Sequence, residues 1–248
     1  MGKRIISQAR GAGGPRYRAP SHRFVSDARY MALKDFKKGG VLQVIDFTCD
    51  PVRSSPLMEL MNEQFKSAYL IAPVGVSEGD VVEYGAEVSI NPGNITVIEN
   101  VPAGTPVYNM ELVPGDGGKI VRASGLAAYV ISQDNERKKT LVRLPSKNKV
   151  EMDFGCRVTI GTIAGGGRVD KPFVKAGNKH HDMASRNKLY PIVSGTNMNA
   201  ADHPHGGRTS LGRNDCCKRN APPGSKVGNI APSRTGVRKT KIAKEKSE

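Results

Sequence analysis

The charge on this 248-residue chain is sorted by position. Residues 1–40 hold 10 Lys/Arg against 2 Asp/Glu, residues 41–165 hold 11 against 15, and residues 166–248 hold 17 against 6. The formal charge of +15 therefore comes wholly from the two ends, around a middle of net −4. From Pro191 to Glu248 glycine, proline and cations recur without an apolar period, so this stretch has no core of its own. Ordering such a segment costs about 1–2 kcal/mol per residue in backbone entropy, which only a partner offering many contacts offsets. Polycationic arms on a near-neutral body are suited to neutralising phosphates. A solvated tail without a partner has the same composition and is the alternative reading.

Composition excludes several classes. No run approaches the roughly 18 continuous apolar residues of a membrane span, so no membrane partner is expected. Met1-Gly2-Lys3-Arg4-Ile5-Ile6-Ser7 lacks the apolar stretch of a secretory signal. The four cysteines (Cys49, Cys156, Cys216, Cys217) show neither C-x-x-C spacing nor a dense framework, which suits a reducing compartment, most simply the cytoplasm. Asn94-Ile95-Thr96 is then a chance sequon. Aromatic residues make up 5% and tryptophan is absent, a poor inventory for broad base-stacking platforms.

Residues 1–40 read as a basic N-terminal extension. Gly11-Ala12-Gly13-Gly14-Pro15 is not expected to hold a helix, and Arg10, Arg16, Arg18, Arg23 and Arg29 are spread along the arm. Tyr17, His22, Phe24 and Tyr30 are interleaved with these cations, placed to pack on sugars or bases. From Val41 short apolar or β-branched runs begin, at 41–47, 68–72, 81–84, 87–90 and 95–98, parted by turn signals such as Asn91-Pro92-Gly93-Asn94. A second series runs at 107–112, 126–133, 139–144, 150–154 and 157–160. Within it Val150, Met152 and Phe154 alternate with polar residues, the pattern of a half-buried strand. Strands of this length and spacing predict two small barrels of roughly 60 residues, each marginal alone and so packed together. The domains expected are the extension 1–40, barrels at 41–98 and 99–165, and a basic Gly/Pro-rich extension 166–248. In the last, only 175–189 has the makings of a short helix, weakened by Gly177.

The chemical motifs are few. Asp202-His203-Pro204-His205-Gly206-Gly207 offers an Asp-oriented imidazole or two metal ligands, but nothing near it in sequence supplies a third and fourth ligand. A rigid Pro/Gly turn bringing amides and imidazoles to a phosphate-rich surface is the simpler reading. Neither Gly11–Gly14 nor Gly165–Gly167 sits in a nucleotide-loop pattern. His180-His181, set between Lys179 and Lys188, is expected to face phosphate. Cys49 and Cys156 are expected as small apolar fillers. Asp46, Glu83, Glu87 and Glu99 are expected on solvated strand faces, with no acid/base pair among the carboxylates of the middle.

Several ordered motifs carry a resemblance. Asn199-Ala200-Ala201-Asp202-His203-Pro204-His205-Gly206-Gly207 resembles the signature of the L-two family of large-subunit ribosomal proteins. Asp50-Pro51-Val52-Arg53-Ser54-Ser55-Pro56-Leu57 resembles the family's D-P-x-R-x-x-P-L turn. Residues 114–125, from Pro114-Gly115-Asp116-Gly117-Gly118 to Arg122-Ala123-Ser124-Gly125, resemble its P-G-x-G-G-x-x-x-R segment. Leu144-Pro145-Ser146 and Cys156-Arg157-Val158-Thr159-Ile160-Gly161 follow in the family's order, and the segments 164–172 and 219–228 are similar to its archaeal and eukaryotic branch. Ser194, Asn197-Met198-Asn199-Ala200 and Arg208 depart from the common pattern.

The resemblance implies an all-β core, an OB-fold-like barrel followed by an SH3-like barrel, with both extensions threaded into rRNA. It implies a non-enzymatic rRNA binder near the peptidyl-transferase centre that supports subunit association and tRNA binding. The partners implied are large-subunit rRNA, small-subunit rRNA at an intersubunit bridge and neighbouring ribosomal proteins. No cofactor is implied beyond rRNA-associated magnesium ions. Residues 202–207 are placed by it in the loop approaching that centre, with His203 expected to position RNA. Phosphate is expected at Arg10, Arg16, Arg18, Arg23, Lys179, His180, Arg186, Arg208, Arg213 and Arg219, with Arg53 and Arg122 as further candidates at barrel turns.

Overall fold

The computed structural model describes residues 2–62, 67–207, 216–222 and 224–232, and of Ser7 and Arg10 the backbone alone. The chain forms two compact units, one of Pro20–Ala176 and one that joins Met1–Ala19 to Gly177–Glu248.

The unit at 20–176 is all-β apart from a short helix α1 (Leu33–Lys38) and single 3-10 turns. Its strands are β1 (Gly40–Thr48), β2 (Leu57–Met61), β3 (Ser67–Ile71), β4 (Val81–Tyr84), β5 (Ile95–Val97), β6 (Pro106–Tyr108), β7 (Ala128–Asp134), β8 (Lys139–Arg143), β9 (Lys149–Asp153) and β10 (Arg157–Ile160). They form one sheet in the order β3-β2-β1-β4-β5-β10-β6-β7-β8-β9. All pairings are antiparallel except the single Tyr84–Ile95 contact of β4 with β5. Leu42 and Val44 point inward while Val41 and Gln43 face water, the period-2 pattern of a strand buried on one face. Register slips by one residue between Val44 and Asp46 in β1 and between Val130 and Ser132 in β7. Such bulges bend a strand and sharpen its twist, so each half of the sheet curls around its own apolar cluster.

The first cluster gathers Leu42, Val44, Met58, Leu60, Leu70, Val82 and Ile95, with Tyr30 and Phe36 from the segment before β1. The second gathers Ile98, Val107, Met110, Val130, Val142, Met152, Cys156 and Val158. A third, of Ala28, Leu57, Ile71, Tyr108 and Ile163, joins them, and the Tyr108 hydroxyl donates to the Ile71 carbonyl at 3.0 Å. β10 is central: Arg157, Val158 and Thr159 pair with β5, and Thr159 and Ile160 with β6. All four of its residues are buried.

Several local expectations are corrected. The run at 87–90 is a loop, because the Glu83 carboxylate accepts from the Ser89 hydroxyl at 2.7 Å and Asn94 Nδ2 donates to the Ser89 carbonyl. β2 was not expected, since Leu57-Met58-Glu59-Leu60-Met61 has no β-branched residue and follows a Pro-bounded turn. Cys156 is buried, its thiol pushed up to about 11 by burial and the nearby Asp153 charge, whereas Cys49 is exposed and fills no core. Residues 20–39 are not a free arm: Ala28, Tyr30 and Phe36 belong to the core.

In the other unit a 3-10 helix spans Ile6–Ala12, running through Gly11 where none was expected and stopping at Gly13 in the left-handed region. Helix α2 (Ala176–Ser185) buries no residue. Two short parallel strands, β11 (Cys216–Cys217) and β12 (Asn229–Ile230), lie toward the C-terminus. Among the described residues, Ile5 and Val227 are the only buried apolar side chains of this unit.

Candidate nucleic-acid interface

Two sets of cations result, with opposite fates. In the unit at 20–176 three arginines turn inward and hold the irregular segment ahead of β1 by its carbonyls. Arg53 donates to Ser26 O at 2.7 Å, Arg122 to Ala28 O at 2.7 Å, and Arg157 to Met31 O at 2.6 Å. A strap without secondary structure needs such partners, because buried backbone carbonyls left unpaired are costly. Asp50 organises its turn by accepting from Val52 N at 3.0 Å and from Arg53 at 2.6 Å, and Arg53 lies 5.1 Å from the Phe24 ring centroid. Burial, then the neighbouring Arg53 charge, lowers the Arg122 pKa. Arg53 and Arg122, expected at phosphate, each direct two donors to groups of the protein, Arg53 to Ser26 O and Asp50 and Arg122 to Gly118 O and Ala28 O. Tyr30, expected on sugars or bases, is buried with its hydroxyl 2.6 Å from Thr159 Oγ1.

The third arginine belongs to an ion pair that sequence reasoning missed. Glu111 is 0% and Arg157 1% exposed. Glu111 Oε1 accepts from Arg157 Nε at 3.0 Å and from its Nη2 at 2.5 Å, while Oε2 accepts from the Arg157 amide at 3.0 Å. The glycine turn of residues 114–118 completes the cradle, with Gly115 N and Gly117 N donating to the same carboxylate at 3.1 and 2.8 Å. Gly115, Gly117 and Gly118 all have φ near +90°, a conformation side chains rarely adopt. Burial pushes the Glu111 carboxyl up, but the Arg157 guanidinium and amide with these glycine amides outweigh it and hold the group below its usual range.

In the chain-end unit the described cations face outward in whole or in part. Arg16, Arg18, His180 and Arg219 are exposed, and Lys179 and Arg186 are partly so. Arg186 pairs with Asp182 one turn back on α2 at 2.7 Å, and Lys179 Nζ stands 5.3 Å from the Tyr190 ring centroid. Arg23 is also exposed, at the end of a 3-10 turn in the other unit. Of Arg10 only the backbone is described, and Arg208 and Arg213 lie outside the described residues.

The 202–207 loop is built from backbone. Asp202 N and His203 N donate to Asn199 O at 3.0 and 3.1 Å, Gly206 N to His203 O at 2.9 Å, and Gly207 N to Met198 O at 3.2 Å. Gly206 is buried, and a Cβ there would collide with the Asn199 and Met198 carbonyls, so only glycine lets the strands of this turn close. The N-terminus seals the loop: Lys3 N donates to Ala201 O at 2.7 Å and Lys3 Nζ pairs with Asp202 Oδ1 at 3.2 Å. His203 Nδ1 accepts from His205 N at 3.0 Å, the rings lie edge to face at 5.0 Å, and burial with the nearby His205 lowers the His203 pKa. The Asp202 carboxylate is thus directed to Lys3, and His203 Nδ1 is engaged by the His205 amide. Among the described residues no three His, Cys, Asp or Glu side chains are grouped to hold a metal ion, and no helix is long and apolar enough to cross a membrane.

Comparison with known proteins bears on this surface. The family described as Ribosomal Proteins L2, C-terminal domain, matches residues 91–228. The large ribosomal subunit protein uL2 of Archaeoglobus fulgidus is 49% identical over 241 residues, spanning 96% of this chain and 100% of the relative. That of Haloarcula marismortui is 47% identical over 95% of this chain and 98% of its own length. That of Methanocaldococcus jannaschii is 46% identical over 96% of this chain and its entire length.

Proposed function

Because this chain belongs to the ribosomal protein L2 family, with archaeal-type relatives along nearly its full length, we propose that its joined ends bind large-subunit rRNA. It is a structural constituent of the large ribosomal subunit, cytoplasmic with the ribosome, and not an enzyme. The two apolar clusters are read as the OB-like and SH3-like barrels that carry this unit. Arg16, Arg18, Arg23, Lys179, His180, Arg186 and Arg219 take phosphates, joined by Arg10, Arg208 and Arg213. Arg53 and Arg122 shape the platform from within. The loop 202–207 lies near the peptidyl-transferase centre, where His203 positions RNA as a neutral imidazole. Support for subunit association through small-subunit rRNA at a bridge, for tRNA binding, and contacts with neighbouring ribosomal proteins belong to the same reading. Magnesium enters only as an rRNA-associated ion.

One observation carries this reading: +14 of the formal +15 lies in the chain-end unit, where among the described residues two apolar side chains are buried and helix α2 buries none. A helix that buries none of its residues gains little from its own protein, so its stability draws on what lies outside. With about ten phosphates engaged, log K for rRNA should fall with log salt at a slope of roughly −7 to −9. A slope near zero rejects the mechanism. Crosslinking with RNA sequencing in cells should return large-subunit rRNA; reads from messenger RNA alone would overturn the assignment.

A further inference from the structure

The chain-end unit contains a groove of about 800 Å³ that phosphate binding does not explain. Tyr17 and Arg18 form one wall, and Lys179, Met183, Leu189 and Tyr190 line the other. Its volume is in the range of small-ligand pockets. Asn187 fixes the walls against each other: its side-chain amide donates to the carbonyls of Pro15 and Arg18, the latter at 2.9 Å. Its own backbone, at φ 55°, turns the chain out of α2, and Lys188 N caps that end by donating to Met183 O at 2.9 Å. The groove is therefore shaped before anything enters it.

Its chemistry is two-fold. Tyrosine rings and aliphatic side chains form the walls, and Ile192 beside them is left 65% exposed. Arg18, Lys179, Arg186 and Lys188 also line it, with no carboxylate among the lining residues. A flat uncharged group attached to an anion matches both features at once. We infer that the groove takes one unpaired rRNA nucleotide, its base stacked on Tyr17 or Tyr190 and its phosphate held by Arg18 and Lys179. This inference rests on the rRNA-binding reading and names the recognition mode at one site. A base inside an RNA helix has no free face to offer, so the nucleotide comes from a bulge, loop or end.

The test uses the full chain bound to large-subunit rRNA. Ultraviolet irradiation, nuclease digestion and mass spectrometry should place a nucleotide adduct on Tyr17 or Tyr190. Whichever of Tyr17→Ala and Tyr190→Ala removes the stacking ring should weaken binding by about tenfold, in keeping with the loss of one stacked base, and leave the salt slope unchanged. Tyr17→Phe and Tyr190→Phe should bind as the unaltered protein does, which separates stacking from loss of folding. Lys179→Gln should flatten the slope by about 0.7–0.9. Alanine variants of full affinity with adducts absent from both tyrosines, while the slope stays steep, would reject the nucleotide pocket and leave rRNA binding standing. Adducts to a peptide of another protein in the assembled subunit would reject it too. A flat slope for the unaltered protein would overturn the rRNA reading and the pocket together.

Discussion

The unit at 20–176 and the unit of the chain ends keep their shapes by different means. The first has three apolar clusters, a sheet that runs through every strand and a buried ion pair. The second relies on backbone hydrogen bonds, close glycine approaches and a few side-chain brackets such as Asn187 and Lys3. Both are rich in arginine, so residue type does not decide the role. Where a strap must be held against a core, the guanidinium turns to carbonyls; at Arg16, Arg18 and Arg219 of the chain ends it is exposed to solvent. Self-sufficiency in one unit and dependence in the other follow from how much apolar surface each can remove from water.

The sharpest way to break the contrast is at the buried pair. Arg157→Met or Glu111→Gln leaves one member without its partner and should destabilise the core unit by about 3–5 kcal/mol in denaturant titration. The pair also sets an acid limit. The Glu111 pKa is lower folded than unfolded, so the unfolded state binds more protons in acid. Its stabilisation is complete above the unfolded value of about 4.3 and lost as pH falls through the folded value. Denaturation midpoints should drop over that window in the native protein, and this component should be missing in Glu111→Gln.

Smaller effects sharpen the comparison. Arg122→Met removes a charged donor from Ala28 O and should cost about 1.5–3 kcal/mol, with faster hydrogen exchange across 20–39. Tyr30→Phe removes the 2.6 Å contact with Thr159 and should cost about 1 kcal/mol by the same titration. Arg219→Gln, at an exposed position of the chain ends, should move stability by no more than about 0.5 kcal/mol. Its signature is instead a shift of about 0.7–0.9 in the salt slope of rRNA binding.

Much of the strand content was legible because local alternation and turn residues report it. The runs at 41–47, 81–84, 139–144 and 157–160 coincide closely with β1, β4, β8 and β10, and 175–189 contains α2. Tyr30 and Phe36 were not legible as core, since they sit among cations in a segment without period, and their burial depends on carbonyls captured by Arg53, Arg122 and Arg157. The Glu111–Arg157 pair bridges separate strand segments, beyond the reach of any local window. The signal that would have found it is the glycine turn: Gly115 and Gly117 are a ready cradle for an anion, and Glu111 is the carboxylate just before it. For the interface, the cations and the 202–207 loop were legible by type. The joining of residues 2–5 to that loop was not, because a backbone donor such as Lys3 N leaves no mark on composition.

The position of β10 also bears on biosynthesis. It is the last of the ten strands to be made, yet it lies between β5 and β6 and carries the arginine that grips Met31. A nascent chain that has emerged only as far as β9 has every other strand and still lacks both the seam of the sheet and the clasp on its own leading segment. Joining of the two halves through the sheet therefore waits on residues 157–160, and the order of translation delivers the keystone after every other strand of the sheet.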